Sequence, residues 1–163
     1  MKALEIEIAM MQYLGIRQNL IVPNVSWGIA NLHECDLLAL SKSNYATEIE
    51  IKISKADILK DKEKLHGHRH NHIARLYFAV PVDLTDYALF HIPDRAGLYS
   101  VSRNSNHAYG YKIELVRQCK RNTKAVKWSD NERFQLARIG ALRILGLKKK
   151  VFKANRKLRK IKI

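Results

Sequence analysis

The sequence predicts an α/β fold, a mixed sheet with helices packed on it. Three stretches carry that expectation. ATEIEIKIS (46–54) alternates strictly, setting Glu48, Glu50 and Lys52 on one face of a strand and Ile49, Ile51 and Ile53 on the other. IARLYFAVPV (73–82) is an apolar run of strand length closed by Pro81, the pattern of a central buried strand. Amphipathic helical patterns stand near both ends, in ALEIEIAMMQYLGI (3–16) and SDNERFQLARIGALRILGLKKK (129–150).

Taken in order, residues 3–16 form a helix ending near Gly15. Leu4, Ile6, Ile8, Met10, Met11, Tyr13 and Leu14 share one broad face at about 100° per residue, and Glu7 falls near its middle. NLIVPNVSWGI reads as an edge or bent strand because Pro23 removes a ladder donor. Residues 33–41 and 45–53 read as a hairpin turning at Lys42–Asn44. SKADILKDKEKL is helical, with Ser54 as N-cap and Asp57 in the first turn. AGLYSVS adds a strand, and residues 103–128 add a short strand near Tyr111–Val116 and a loop. The last helix opens on a capping box, Ser129 with Glu132, and runs to about Gly146. The division expected is one domain over 1–146 and a basic tail over 147–163.

Charge is the strongest bulk signal. The chain carries 30 Lys and Arg against 15 Asp and Glu, a formal net charge of +15. The last seventeen residues, LKKKVFKANRKLRKIKI, hold seven Lys, two Arg and no acid, which leaves +6 of the +15 on the rest. A polyanionic partner is implied, and nucleic acid is the commonest. No apolar run approaches the ~20 residues that span a bilayer. The acids within the first apolar stretch argue against a signal peptide, and two cysteines, Cys35 and Cys119, read as reduced thiols of a cytoplasmic protein.

The chemistry points to the charged face of the 46–54 strand. Buried charges cost several kcal/mol unless paired or bound to an ion. Asp36 stands on the preceding hairpin strand, with Glu34 on the same face, and hairpin pairing can bring Asp36 and Glu50 within reach of one divalent cation. Hard carboxylate oxygens suit Mg²⁺ better than Zn²⁺, with Mn²⁺ as its substitute, and the Ile51 carbonyl is a further candidate ligand. Lys52 points into the same site, where an ammonium stabilises charge developing on a phosphate.

Asp36…Glu50-x-Lys52, between a leading helix and a following αβ unit, resembles the PD-(D/E)xK nuclease superfamily. The succession EIKISKADILKD, LYFAVP, AGLYSV, LARIGALRIL is similar to its MmcB-type DNA-repair proteins, over residues 30–102 and more loosely over 131–146. The resemblance implies a restriction-endonuclease-like αβββαβ core with a C-terminal helix and basic tail. It also implies Mg²⁺-dependent endonucleolytic hydrolysis of DNA, in repair, recombination or processing. Asp36 and Glu50 are then metal ligands and Lys52 the catalytic lysine, and Glu7 is the candidate for the first-helix glutamate found in many members. HECD stands where the superfamily often has Pro-Asp, and the basic tail is no part of its core pattern.

Nucleic-acid contacts are expected from Lys55, close to Lys52, with Asp57 holding Lys52 or Lys55 in place. Further contacts are expected from the tail residues Lys148, Lys149, Lys150, Lys153, Arg156, Lys157 and Arg159. HGHRHNH (66–72) has metal-like spacing, but Gly67 and the lack of cysteine favour a surface loop. His33 and His91 read as structural, and Trp27, Tyr45 and Trp128 as core or interface residues. The reading is therefore a bacterial or phage-like, nucleoid-associated endonuclease acting on DNA, not on a membrane. A homodimer would favour junctions or double-strand cuts, yet no interface is legible. The alternative is a non-catalytic nucleic-acid-binding protein on the same fold; an RNA-associated structural protein comes third.

Overall fold

The computed structural model describes the chain except residues 26–28, 30, 65–66, 108–109 and 162–163, and the side chains of 157–161. Trp27 and His66 therefore lie outside the described residues, as do the side chains of Lys157 and Arg159. Six strands form one sheet in sequence order: β1 (Leu20–Val25), β2 (Cys35–Leu40), β3 (Ala46–Ile51), β4 (Ile73–Pro81), β5 (Gly97–Arg103) and β6 (Tyr111–Arg117). β1–β2, β2–β3 and β5–β6 pair antiparallel, whereas β3–β4 and β4–β5 pair parallel. Parallel neighbours need crossovers, which α2 (Lys55–Asp61) and α3 (Thr85–His91) supply. The chain is thus an α/β protein with a mixed sheet flanked by helices.

The pleat sorts the apolar residues onto two faces. On one, Ile6, Ala9 and Met10 of α1 (Ala3–Tyr13) pack over Leu37, Ile49, Ile51, Tyr77 and Val101. The other carries two separate clusters. Val22, Leu38, Leu40 and Ala46 lie beside Trp128 and Leu136, the latter in α4 (Asp130–Ile161). Leu76, Phe78, Val80 and Leu98 lie with Ile58 of α2 and Ala88 of α3. Glu48 and Glu50 point to this second face, between the two clusters, because Glu48 pairs in register with Leu38 and Leu76, and Glu50 with Phe78.

Most expected elements form. β1 is an edge strand, as Pro23 requires, and β4 is buried throughout except at Arg75. The hairpin turns through Asn44, whose φ of 64° is the left-handed conformation that asparagine tolerates. The Ser54 hydroxyl accepts from the Asp57 N–H, and the Glu132 carboxylate accepts from both the N–H and the hydroxyl of Ser129.

Three expectations are corrected. α1 ends near Gly15 as expected, with Leu14 as its C-cap, but its buried face is narrower than its apolar pattern: Leu4, Ile8 and Tyr13 are exposed. Residues 82–91, to which the sequence pattern assigns no element, form a 3-10 turn and α3 that cover β4 and β5. Most notably, α4 does not end near Gly146 but continues through the basic tail to Ile161. A mid-helix glycine costs only about 1 kcal/mol, and the Leu, Lys, Arg and Ala on either side are strong helix formers.

Candidate active site: a buried charge network beside a cleft

Glu48, Glu50 and Lys52 are buried almost completely, at 0, 1 and 5% exposure, so their face of the sheet is not a solvated one. Each charge has a partner. The Lys52 ammonium lies 2.7 Å from Glu50 Oε2 and 2.9 Å from Asp61 Oδ1. Lys64 bridges the same two carboxylates, at 2.9 Å to each. Burial alone would depress the Lys52 pKa, but Glu50 and Asp61 outweigh it and hold the group charged.

A second part of the network centres on Glu48. His33 Nε2 and His68 Nδ1 both lie 2.7 Å from its Oε1, and His68 Nε2 lies 2.8 Å from Asp61 Oδ2. His68 thus donates from both ring nitrogens, as an imidazolium does. Burial pushes its pKa down, yet the hydrogen bonds to Asp61 and Glu48 prevail and raise it to about 9. Three carboxylates, two ammoniums and one imidazolium close a near-neutral cage, which is how a sheet interior tolerates them.

Asp36 stands one register step beyond the Leu37–Ile49 pair, across from Glu50. Its Oδ2 accepts the Ile51 N–H at 2.8 Å. Burial raises its pKa, and the Glu50 charge raises it further. Asp36, Glu50, Lys52 and Lys64 line a cleft of about 210 Å³ together with Glu34, and Arg143 of α4 forms part of its wall. The Arg143 guanidinium donates to the Asn24 carbonyl, which ties α4 to the rim.

Asp36, Glu50 and Lys52 are brought together as the sequence suggests, and Ile51 joins them through its N–H. Glu7 is only half-buried. Burial raises its pKa, and its carboxylate receives the Asn24 side-chain amide at 3.3 Å; it is linked to the cleft through Asn24 rather than joined to the carboxylates. Asp57 holds neither lysine; it accepts the Ile53 N–H, and Asp61 does the holding. Lys55 is exposed, with its ammonium 5.0 Å from the Tyr87 ring centre. Lys148, Lys149, Lys150, Lys153 and Arg156 line the exposed second half of α4.

The surface-loop expectation fails at His68, which is 1% exposed and inside the network. His33, expected to be structural, sits in the same network. Asp61 and Lys64 are members that sequence reasoning misses. Their spacing of three along the chain is an ordinary helical one and carries no signal of its own.

Whether these groups suit a divalent cation can be tested on their oxygens. Glu50 Oε1 is buried without a hydrogen-bond partner, and Asp36 engages only Oδ2 in its described hydrogen bond. Two neighbouring carboxylates, Glu50 raising the cost of ionising Asp36, that open onto a polar cleft fit Mg²⁺ with its retained waters. His33, Glu48 and His68, and likewise Glu50, Asp61 and His68, also bring ligand-type atoms within 4.8 Å of one another. Those atoms already satisfy each other through the hydrogen bonds and ion pairs described above.

Fold and site together define an α/β protein whose mixed sheet carries a buried carboxylate–lysine–histidine network next to a cleft. Among solved structures it is similar to the SPO1766 protein of unknown function from Silicibacter pomeroyi. The TM-score is 0.61 at 19% identity, covering 95% of this chain and 94% of that one, a likeness of fold alone. No family model matches the chain, and no curated protein matches it.

Proposed function

We propose that the chain is a Mg²⁺-dependent DNA endonuclease of PD-(D/E)xK type, hydrolysing phosphodiester bonds in DNA repair, recombination or processing. The observation that carries this reading is Asp36 standing across from Glu50 on adjacent strands, with Lys52 held rigidly beside them at the mouth of a cleft. The order α1-β1-β2-β3-α2-β4 agrees with the αβββαβ core that the motif resemblance implies.

Asp36 and Glu50 would hold the cation. Bound there, Mg²⁺ would supply Lewis acidity toward a phosphate oxygen and a lowered pKa for water. Glu50 and Asp61 fix the Lys52 ammonium, so its free N–H is aimed rather than mobile, and it donates to a non-bridging phosphate oxygen as charge accumulates. Asp61 and Lys64 are positioning residues that act through Lys52 and Glu50. The basic second half of α4 holds the strand by its phosphates.

A second reading is a DNA-binding protein that keeps this fold without efficient catalysis. It is favoured by Glu50 Oε2 and Asp61 Oδ1 each meeting two ammoniums, which neutralises them without any metal ion.

Supercoiled, branched and single-stranded DNA incubated with Mg²⁺, Mn²⁺ or EDTA separates the two. Metal-dependent cutting is expected, reduced about 100-fold or more in Glu50→Gln and in Asp36→Asn while binding persists. Cutting unchanged in the double variant would overturn the site; salt-sensitive binding with no cutting under any metal would favour the second reading.

A further inference from the structure

A second cleft, of about 410 Å³, has His68 in its wall but none of the carboxylates or lysines of the cage among its described lining residues. Its wall includes Arg69, Arg75, Arg95, Lys120 and Arg121, together with His70, and no Asp or Glu among the described residues lines it. Among the described residues none of these five cations makes a salt bridge. The cage neutralises its own clustered charge; here the chain gathers one sign without an ion pair among the described residues.

Part of this set is also held in place. The segment after β6 is pinned across the start of β4, because Asn122 donates from its N–H to the Ala74 carbonyl at 2.9 Å and Lys120 from its N–H to the Arg95 carbonyl at 2.9 Å. Arg95 donates to the Gly67 carbonyl, and the Arg121 guanidinium lies 4.8 Å from the Tyr45 ring centre. Burial lowers the Arg95 pKa; the Glu48 charge opposes that, and the nearby Arg69 charge adds a smaller lowering. Fixed guanidinium forks match phosphate oxygens in pairs.

We propose that this cleft is a phosphate-binding site that accepts a nucleotide unit of a nucleic-acid strand, separate from the proposed metal site. Its volume lies in the range of about 300–1,000 Å³ typical of sites for groups of that size. The strand as ligand rests on the nuclease reading above; phosphate recognition rests on the cleft alone.

The test is run in EDTA, so no cation chemistry enters. Tripolyphosphate, at ionic strength matched with chloride, is expected to raise the Tm of the full chain. Arg75→Gln/Arg121→Gln should abolish that rise, whereas Arg17→Gln/Lys42→Gln, the same charge change at exposed positions outside the cleft, should retain it. With a single-stranded oligonucleotide the cleft variant should bind about tenfold more weakly, with a salt slope shallower by about 1.4, or 0.7 for each phosphate neutralised. Arg69→Gln/Lys120→Gln, both exposed, repeats the test should the first variant not fold. A folded cleft variant that keeps both responses overturns the proposal, as does a wild-type chain that responds to neither probe. A polyphosphate response that only the cleft variants lose, in a chain that neither binds nor cuts DNA, upholds the cleft as a site for free phosphate compounds and defeats the nuclease reading.

Discussion

Glu48 accepts two imidazoles on one oxygen, and His68 bridges it to Asp61, so a single proton on His68 ties two carboxylates together. Removing one partner leaves uncompensated charge in the sheet, and Glu48→Gln is expected to cost about 3–5 kcal/mol in chemical denaturation. His68 is raised to about 9 in the fold against an ordinary value of 6.5. Its stabilising contribution is therefore complete below about pH 6.5 and is lost as pH rises through about 9. Tm should fall by several degrees across that window, and His68→Gln should flatten the decline; an unchanged decline would point to other groups. Asp36 behaves oppositely. Its carboxyl is raised by burial and by Glu50, so its ionised form burdens the fold at neutral pH. Asp36→Asn should leave Tm in EDTA unchanged or higher, and Mg²⁺ should stabilise the wild type only. A loss of several degrees in EDTA would show that the charge supports the fold instead.

β4 and β5 approach closely at Gly97. Gly97 stands opposite Tyr77, and a Cβ there would lie 2.2 Å from the Tyr77 ring and 2.8 Å from the Arg117 carbonyl. The Tyr77 ring is stacked on Tyr99, at 4.7 Å between centres, and cannot simply swing away. Gly97→Ala is therefore expected to destabilise by about 1–3 kcal/mol or more, read from urea midpoints; a shift below a few tenths would mean that the two strands part easily. α4 shows how an element can outlast its packing. Leu136 and Ile139 seat its first half near β1, and a Cβ added at Gly140 would lie 3.4 Å from Val22 Cγ2. Its second half then presents exposed Ile144, Leu147, Val151 and Phe152 on one side and lysines on another. The helical run through 147–161 was not legible because Gly146 reads as a stop, whereas helix formers on both sides carry the chain across it.

At the scale of the molecule, positive charge is divided between the second half of α4 and the cleft beside His68, with the cage between β3 and α2 nearly neutral. Deleting residues 147–163 should weaken DNA binding uniformly across sequences, and the salt slope should drop by about 0.9 for each duplex phosphate that the tail had neutralised. Weakening confined to particular sequences would contradict phosphate binding as the tail's role. No helix among the described residues is long and apolar enough to cross a membrane.

The sequence by itself determined the sheet-and-helix composition, the edge position of β1, the two N-caps and the pairing of Asp36 with Glu50. These depend on period, on turn residues and on hairpin register, all local along the chain. Only the tertiary structure decided that Glu48, Asp61, Lys64, His33 and His68 form one network, and that Arg75, Arg95 and Arg121 face one cleft. Those groups are up to 46 residues apart and meet through a parallel crossover and a returning loop, whose paths no short-range pattern encodes. Burial settled the rest. Glu-x-Lys on a strand has the same spacing whether wet or dry, and only α2 and the 67–72 segment, closing over it, made its charges pair.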